Sequence, residues 1–283
     1  MNIYSDPYQD FPKLHPLELR GTEGMSVELI DFPSNPYKAI MAGQSASWRP
    51  WKLGFTKDEI KNTLEGISTG KIWAGQALEA INLTFAIKNI SRACTHQLVR
   101  VRIGAGFMQE SGREGKWHQA PFITPLTILE DDDIHKKYVE GMMAMYEFYE
   151  EIQKSGIPPQ DARMAMPHAI AQNMWMTINF RALLEWCSKR LCCNMQWEIN
   201  SLARMVRDEV IRIFPHLGVL LKSHCEREGG HREKDNTNYY NPGAENNGNK
   251  VYFPLEGLMC GKDSNISEEE LASRLTEELT SII

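Results

Sequence analysis

Arg100, Arg102 and Arg113, with Gln109 and Ser111 between them, place three guanidiniums, an amide and a hydroxyl within fourteen residues. Arginine is costly to bury unless an anion meets it. Its planar fork matches phosphate or carboxylate oxygens in pairs. The segment therefore reads as a loop that grips phosphate or a nucleotide; the competing reading is a solvated basic turn with surface ion pairs. A second polar cluster lies downstream: Asp161-Ala162-Arg163, Pro167, Thr177, Asn179, Arg181, Arg190 and Gln196-Trp197-Glu198-Ile199. Asn179 and Arg181 fall at an expected strand-to-helix junction, where free backbone N–H groups and the helix dipole favour anions. Arg181 and Arg190 are expected to line one side of a cleft.

These groups need elements to hold them. Met25 to Asp31 reads as a first strand, with Val27, Leu29 and Asp31 on one side. A short helix follows over Pro36 to Ser47, and Thr56 to Glu59 forms a capping box for the next. In Ala80 to Lys88, Ile81, Leu83, Phe85 and Ile87 alternate as one face of a strand. Asn89 or Ser91 then caps a helix running to about Arg102, ended by Gly104-Ala105-Gly106. Lys116 to Ile123 is strand-like. Asp131 to Lys154 is a long helix closed by Gly156, with Met142, Met145, Tyr146, Tyr149 and Ile152 as its core stripe. Asp161 to Met166 is a short helix, Met174 to Ile178 a strand, and Phe180 to Ile213 a long helix or helix pair. Ser267 caps a last amphipathic helix carrying Leu271, Leu275 and Leu279. Residues 1–24 read as an N-terminal arm, 25–228 as a catalytic domain, 229–250 as a polar flexible loop and 251–283 as a C-terminal extension.

The two polar clusters, in this order and spacing, resemble the flavin-dependent thymidylate synthases over residues 25–225. His96-Gln97-Leu98-Val99-Arg100-Val101-Arg102 matches the lead-in of that family's signature, and Ser111-Gly112-Arg113 its end. The run from Asp161 to Ile199 matches its second block. Two ordered blocks are a specific signal where either alone is weak. The resemblance implies an α/β (α+β) fold with a twisted antiparallel sheet flanked by long helices, and a homotetramer with shared sites. It implies transfer of a one-carbon unit from methylene-tetrahydrofolate to C5 of a pyrimidine mononucleotide, dUMP first, with reduction through FAD and NADPH. Gln97, Arg100, Ser111, Gly112, Arg113, Arg163 and Arg190 would hold the nucleotide. Arg190 and Ser111 would act in catalysis, Arg190 against the ring, favouring charge build-up toward C5. Arg102, Gln109, Asn179 and Arg181 would touch FAD, with Glu185 beside them. No cysteine nucleophile is implied.

The chain departs from the family pattern mainly around the flavin. Val101 replaces the central histidine, Gly106 or Ala105 the serine, and Met108-Gln109 an Asn-Glu pair. Upstream, Ala74, Gln76 and Glu79-Ala80 stand where a His-x-Ser/Thr motif and a Glu-His pair are usual. Glu185 stands where the family often has Asn, and would repel a flavin diphosphate. Each lost partner of a buried cofactor group costs about 1–3 kcal/mol if unreplaced. Two outcomes are expected to compete: an altered flavin pose serving a related reaction (UMP or dCMP as acceptor, or a hydroxymethyl product), or a nucleotide-binding homologue that has lost flavin chemistry.

The chain of 283 residues, 42% apolar and 24% charged, is globular in composition. A net charge of −6 argues against broad nucleic-acid binding. No apolar run reaches membrane-span length and no secretory leader is seen, so no membrane partner and a cytoplasmic site are expected. Six cysteines in a chain this long do not read as a disulfide scaffold. His224, Cys225, His231 and Cys260 fit no standard zinc spacing. His118 and Glu110 are weaker candidates, for proton relay and general base. A dinucleotide-binding glycine motif is absent.

Overall fold

The computed structural model describes residues 16–47, 51–71, 74–113, 117, 120–192, 195–227 and 266–282. In chain order the strands are β1 (Glu18–Arg20), β2 (Ser26–Asp31), β3 (Asn82–Ser91), β4 (Ala105–Gln109), β5 (Phe122–Thr124) and β6 (Ala171–Asn179). The helices are α1 (Pro36–Ala46), α2 (Lys57–Ser68), α3 (Arg92–Leu98), α4 (Leu126–Leu129), α5 (Asp132–Lys154) and α6 (Pro159–Ala162). They continue with α7 (Phe180–Arg190), α8 (Trp197–Ile213), α9 (Pro215–Gly218), α10 (His224–Arg227) and α11 (Glu268–Ile282). Gly75–Ala80 and Arg163–Ala165 are 3-10 turns. The chain forms two compact units: residues 1–23, 91–93 and 110–172, and residues 24–90, 94–109 and 173–283.

The larger unit is built on a four-stranded sheet in the order β2-β3-β6-β4. β2 runs antiparallel to β3, and β4 antiparallel to β6. Ile81, Leu83, Phe85 and Ile87 are fully buried, as their alternation requires. On β6, Met174, Met176 and Ile178 face the core while Trp175 is 44% exposed. α8 closes this core with Ile199, Leu202, Ala203, Val206 and Val210. Local signals set the helix starts. Thr56 and Glu59 form the reciprocal capping box of α2. The hydroxyl of Ser267 accepts from the backbone N–H of Glu270 to open α11. That last helix is fastened by Glu278, 8% exposed, whose carboxylate accepts from the Tyr37 hydroxyl and the His216 backbone N–H and meets His216 Nδ1 at 2.8 Å.

In the smaller unit β1 and β5 pair in parallel, and α5 covers them. The side chain of Asp131 caps α5 by accepting from Asp133 and Ile134. Met142, Tyr146 and Tyr149 are buried as expected, whereas Met145 is 40% exposed. Glu18 of β1 accepts from Thr124 at 2.7 Å and meets His135 at 2.6 Å.

Four local expectations are corrected. The helix after β3 stops at Leu98 rather than near Arg102, where Val101 N–H turns back onto the Leu98 carbonyl. The glycine bend is one residue, Gly104 (φ +74°); Ala105 and Gly106 already belong to β4, paired with Ile178 and Thr177. Among the described residues, the strand before the proline turn is Phe122–Thr124. The expected helix over Asp161 to Met166 begins earlier, at Pro159, and finishes as a 3-10 turn. The loop expected at 229–250 lies outside the described residues.

Candidate active site

Within the larger unit, Gln97 and Arg100 come together with Arg190 near the C-terminal ends of α3 and α7. Arg190, the last residue of α7, is partly buried. Its Nη2 donates to the Gln97 carbonyl at 3.3 Å and its Nη1 lies 3.7 Å from Met195 Sδ. Arg100 is exposed and donates through Nε to the His96 carbonyl at 3.3 Å. Burial, and then the Arg100 charge, pull the Arg190 guanidinium below its ordinary value. Gln97, Arg100 and Arg190 are thus one local group that brings two like charges together. An anion arriving there would relieve the repulsion. Cys94 lies beneath, and its thiol is pushed well up by burial and by Glu198.

Of the proposed cofactor residues, Asn179 and Arg181 sit at the start of α7, whereas Gln109 lies at the far end of β4, opposite Met174. Asn179 caps that helix, its Oδ1 accepting from Ala182 N–H at 2.9 Å. Its amide is wedged against Gly104, where an added Cβ would come within 2.4 Å of Asn179 Nδ2. Gly104 is therefore required by both its positive φ and this close approach. Arg181 is ion-paired with Glu79 at 2.9 Å, both side chains well exposed. Arg102 and Glu185 are exposed, and among the described residues no hydrogen bond engages the Arg102 guanidinium. Gln109 is partly buried and donates inward to Thr95 at 3.3 Å. As a donor set, Arg102, Arg181 and Asn179 beside a helix N-terminus suit the diphosphate of a flavin dinucleotide; Glu79 and Glu185 oppose it.

The smaller unit carries the remaining residues. Arg113 N–H donates to the Ser111 hydroxyl at 3.2 Å, a tight polar turn. Gly112 is buried against the Trp117 ring, where a Cβ would meet ring atoms at 2.3–2.7 Å. Ser111 and Arg113 are exposed, as is Glu110. Arg163 is exposed and its Nε donates to the Gln160 carbonyl at 3.0 Å. Its charge, after burial, lowers the pKa of Arg92, so two guanidiniums also stand near each other here.

One sequence expectation fails on geometry. Arg181 and Arg190 do not share a side: at about 100° per residue, nine residues turn the helix through two and a half turns, which is the opposite face. The structure agrees, with Arg181 turned to Glu79 and Arg190 to Gln97 and Met195. Sequence reasoning also missed the residues behind the arginines, namely Asn200, Arg204, Met195, Arg92 and the packing role of Trp117. None carries a motif; only contact reveals them. His118, His231 and Cys260 lie outside the described residues. His224 is exposed and Cys225 is buried beside Ser223. Among the described residues no cluster of three or more His, Cys, Asp or Glu could hold a metal ion, and no helix is long and apolar enough to cross a membrane.

Comparison with known proteins follows the same blocks. Residues 28–216 match the family described as thymidylate synthase complementing protein. A flavin-dependent thymidylate synthase from Saccharolobus solfataricus is 34% identical over 202 residues, covering 68% of this chain and 75% of its own. The enzyme of that name from Pyrococcus abyssi is 32% identical over 197 residues, covering 66% and 79%. Among solved structures, a UMP/dUMP methylase, PolB from Streptomyces cacaoi, bound with 5-Br dUMP, superposes with a TM-score of 0.59 at 20% identity. It covers 72% of this chain and 96% of that one, and so shows the shared fold. The matched span takes in Gln97 to Arg113, Arg163 and Asn179 to Arg190 together, and the chain belongs to the flavin-dependent thymidylate synthase family.

Proposed function

We propose that this protein transfers a one-carbon unit to C5 of a pyrimidine nucleoside monophosphate, with dUMP the first candidate and UMP or dCMP as alternative acceptors. The observation that carries this reading is Arg190: a partly buried cation, next to Arg100, whose recorded contacts are a carbonyl and a thioether. Such a cation calls for an anionic or strongly polar ligand. The flavin-dependent relatives and the UMP/dUMP methylase neighbour support a pyrimidine nucleotide. Within the larger unit, Gln97, Arg100 and Arg190 would bind it; Ser111, Gly112, Arg113 and Arg163, which the family resemblance assigns to the nucleotide, belong to the smaller unit. Against the ring, Arg190 would stabilise negative charge as it builds toward C5. Arg102, Asn179 and Arg181 would hold FAD, Gln109 and Glu185 bordering it. FAD would supply the redox chemistry that no side chain can, with NADPH and methylene-tetrahydrofolate as co-substrates. A cytoplasmic homotetramer belongs to the same reading.

The opposing reading, a nucleotide-binding homologue without flavin chemistry, draws on the Arg181–Glu79 ion pair, which occupies a proposed cofactor cation. The two are separated by the visible spectrum of the purified protein, an FAD titration and a dUMP titration. Flavin absorbance or saturable FAD binding, together with product formation from dUMP, methylene-tetrahydrofolate and NADPH, is expected. dUMP binding with no FAD binding would replace the enzyme reading by its rival.

A further inference from the structure

The C-terminal end of a helix leaves backbone carbonyls without intrahelical partners. At the end of α7 these carbonyls are met by one buried side chain from the next helix. Asn200, 3% exposed in the first turn of α8, donates through Nδ2 to the Arg190 carbonyl at 2.8 Å and to the Cys192 carbonyl at 3.0 Å. Its Oδ1 accepts from Arg204 Nε at 2.8 Å, which fixes the amide with its donor end toward those carbonyls. One turn earlier, Gln196 caps α8 by accepting from Ile199 N–H at 3.1 Å, and the same Oε1 accepts from Gln97 Nε2 at 3.4 Å. Gln97 in turn offers its carbonyl to Arg190. The backbone of Arg190 and the side chain of Gln97 are therefore both tied to the first two turns of α8, an element locked into the core by Ile199, Leu202 and Ala203.

We infer that Asn200, oriented by Arg204, is a positioning residue that aims the Arg190 guanidinium at the nucleotide. The inference rests on the reading of Arg190 as a nucleotide-binding group. Asn200 itself touches no ligand. Its effect is to hold the last turn of α7 at a fixed height on α8, so that a partly buried cation with only weak side-chain contacts keeps one direction. An aspartate at this place is nearly isosteric but presents two acceptors to two carbonyls. It would push the turn away and release Arg190.

The test is a double-mutant cycle on dUMP affinity, measured by calorimetry on the full chain, with thermal unfolding recorded for every variant. Arg190→Ala, Asn200→Asp and the double variant are compared with the parent. Asn200→Asp is expected to weaken dUMP binding about tenfold in the parent and less than about twofold once Arg190 is Ala, the non-additivity of coupled residues. Its loss of melting temperature should be alike in both backgrounds, because the carbonyl bonds do not need the guanidinium. Arg204→Met, a milder change at a partly exposed residue, is expected to act in the same direction by about threefold, again only when Arg190 is present. Should Asn200→Asp fail to fold, this second variant decides. A weakening that is equal in both backgrounds, or a folded Asn200→Asp or Arg204→Met protein with parental affinity, overturns the positioning role alone. Parental affinity in Arg190→Ala would instead remove Arg190 from the nucleotide site and overturn both.

Discussion

Arg190 ends α7 and Arg181 stands at its start, and the protein treats them differently. Arg190 is partly buried, hydrogen-bonded to the Gln97 carbonyl, and its own carbonyl is held by Asn200. Arg181 lies at the start of the helix, 40% exposed, and its salt-bridge partner Glu79 is 51% exposed. A cation that loses water and gains no carboxylate is set up for an outside ligand. A cation paired at the surface must first give up its partner. Arg190 is thus held ready for a ligand, and Arg181 is not. By the family resemblance, the sequence departures at Val101, Ala74, Gln76 and Ala80 would fall near the cofactor, on the side of Arg181.

The largest expected effect lies at the held end. Arg190→Ala should lower turnover of dUMP by about 10²–10³-fold, in the range for loss of one preorganised charge-stabilising donor. Arg190→Lys should recover only part, since a point charge replaces a fork. Single-turnover rates with saturating FAD check this. Near-parental turnover in Arg190→Ala would erase the contrast between the two ends of α7.

Next comes the Ser111–Arg113 turn, which among the described residues is held by the packing of Gly112 on Trp117. Gly112→Ala would drive a methyl group into the Trp117 ring, buried at 5% exposure. The expected cost is about 1–3 kcal/mol of stability in the overpacking range, with weaker dUMP binding; chemical denaturation and dUMP titration read the two effects. Parental stability and affinity would show that the turn yields freely, and that packing behind the proposed nucleotide residues is not general.

The sequence made the frame of this molecule legible where one physical rule dominates. Alternation alone marked Ile81 to Ile87 as a buried strand, and single side-chain oxygens marked the starts of α2 and α11. It failed where weak formers follow the sheet's demand. Ala105 and Gly106 carry no β-branched side chain, so they read as a bend, yet pairing with Ile178 and Thr177 makes them strand. The proposed site residues stand out in the sequence because Arg, Ser and Gln fall in two ordered blocks. What holds them was not: Asn200 and Trp117 act through contacts with Arg190 and Gly112 that no spacing announces.

The smallest effect probes the loose end. An exposed pair such as Arg181–Glu79 contributes about 1 kcal/mol or less to stability, so Glu79→Gln should leave the melting temperature nearly unchanged. If the pair merely occupies a cation that a cofactor diphosphate needs, neutralising Glu79 frees Arg181. FAD affinity should then rise by about threefold, the scale of a weak surface pair, while dUMP affinity stays at the parental value. The opposite sign would be equally instructive. A fall in FAD affinity would mean that Glu79 aims Arg181 rather than competing for it, as Gln97 and Asn200 are argued to do for Arg190. Both ends of α7 would then be preorganised, and the departures upstream of β3 would have to be read as adjustments to a working cofactor site.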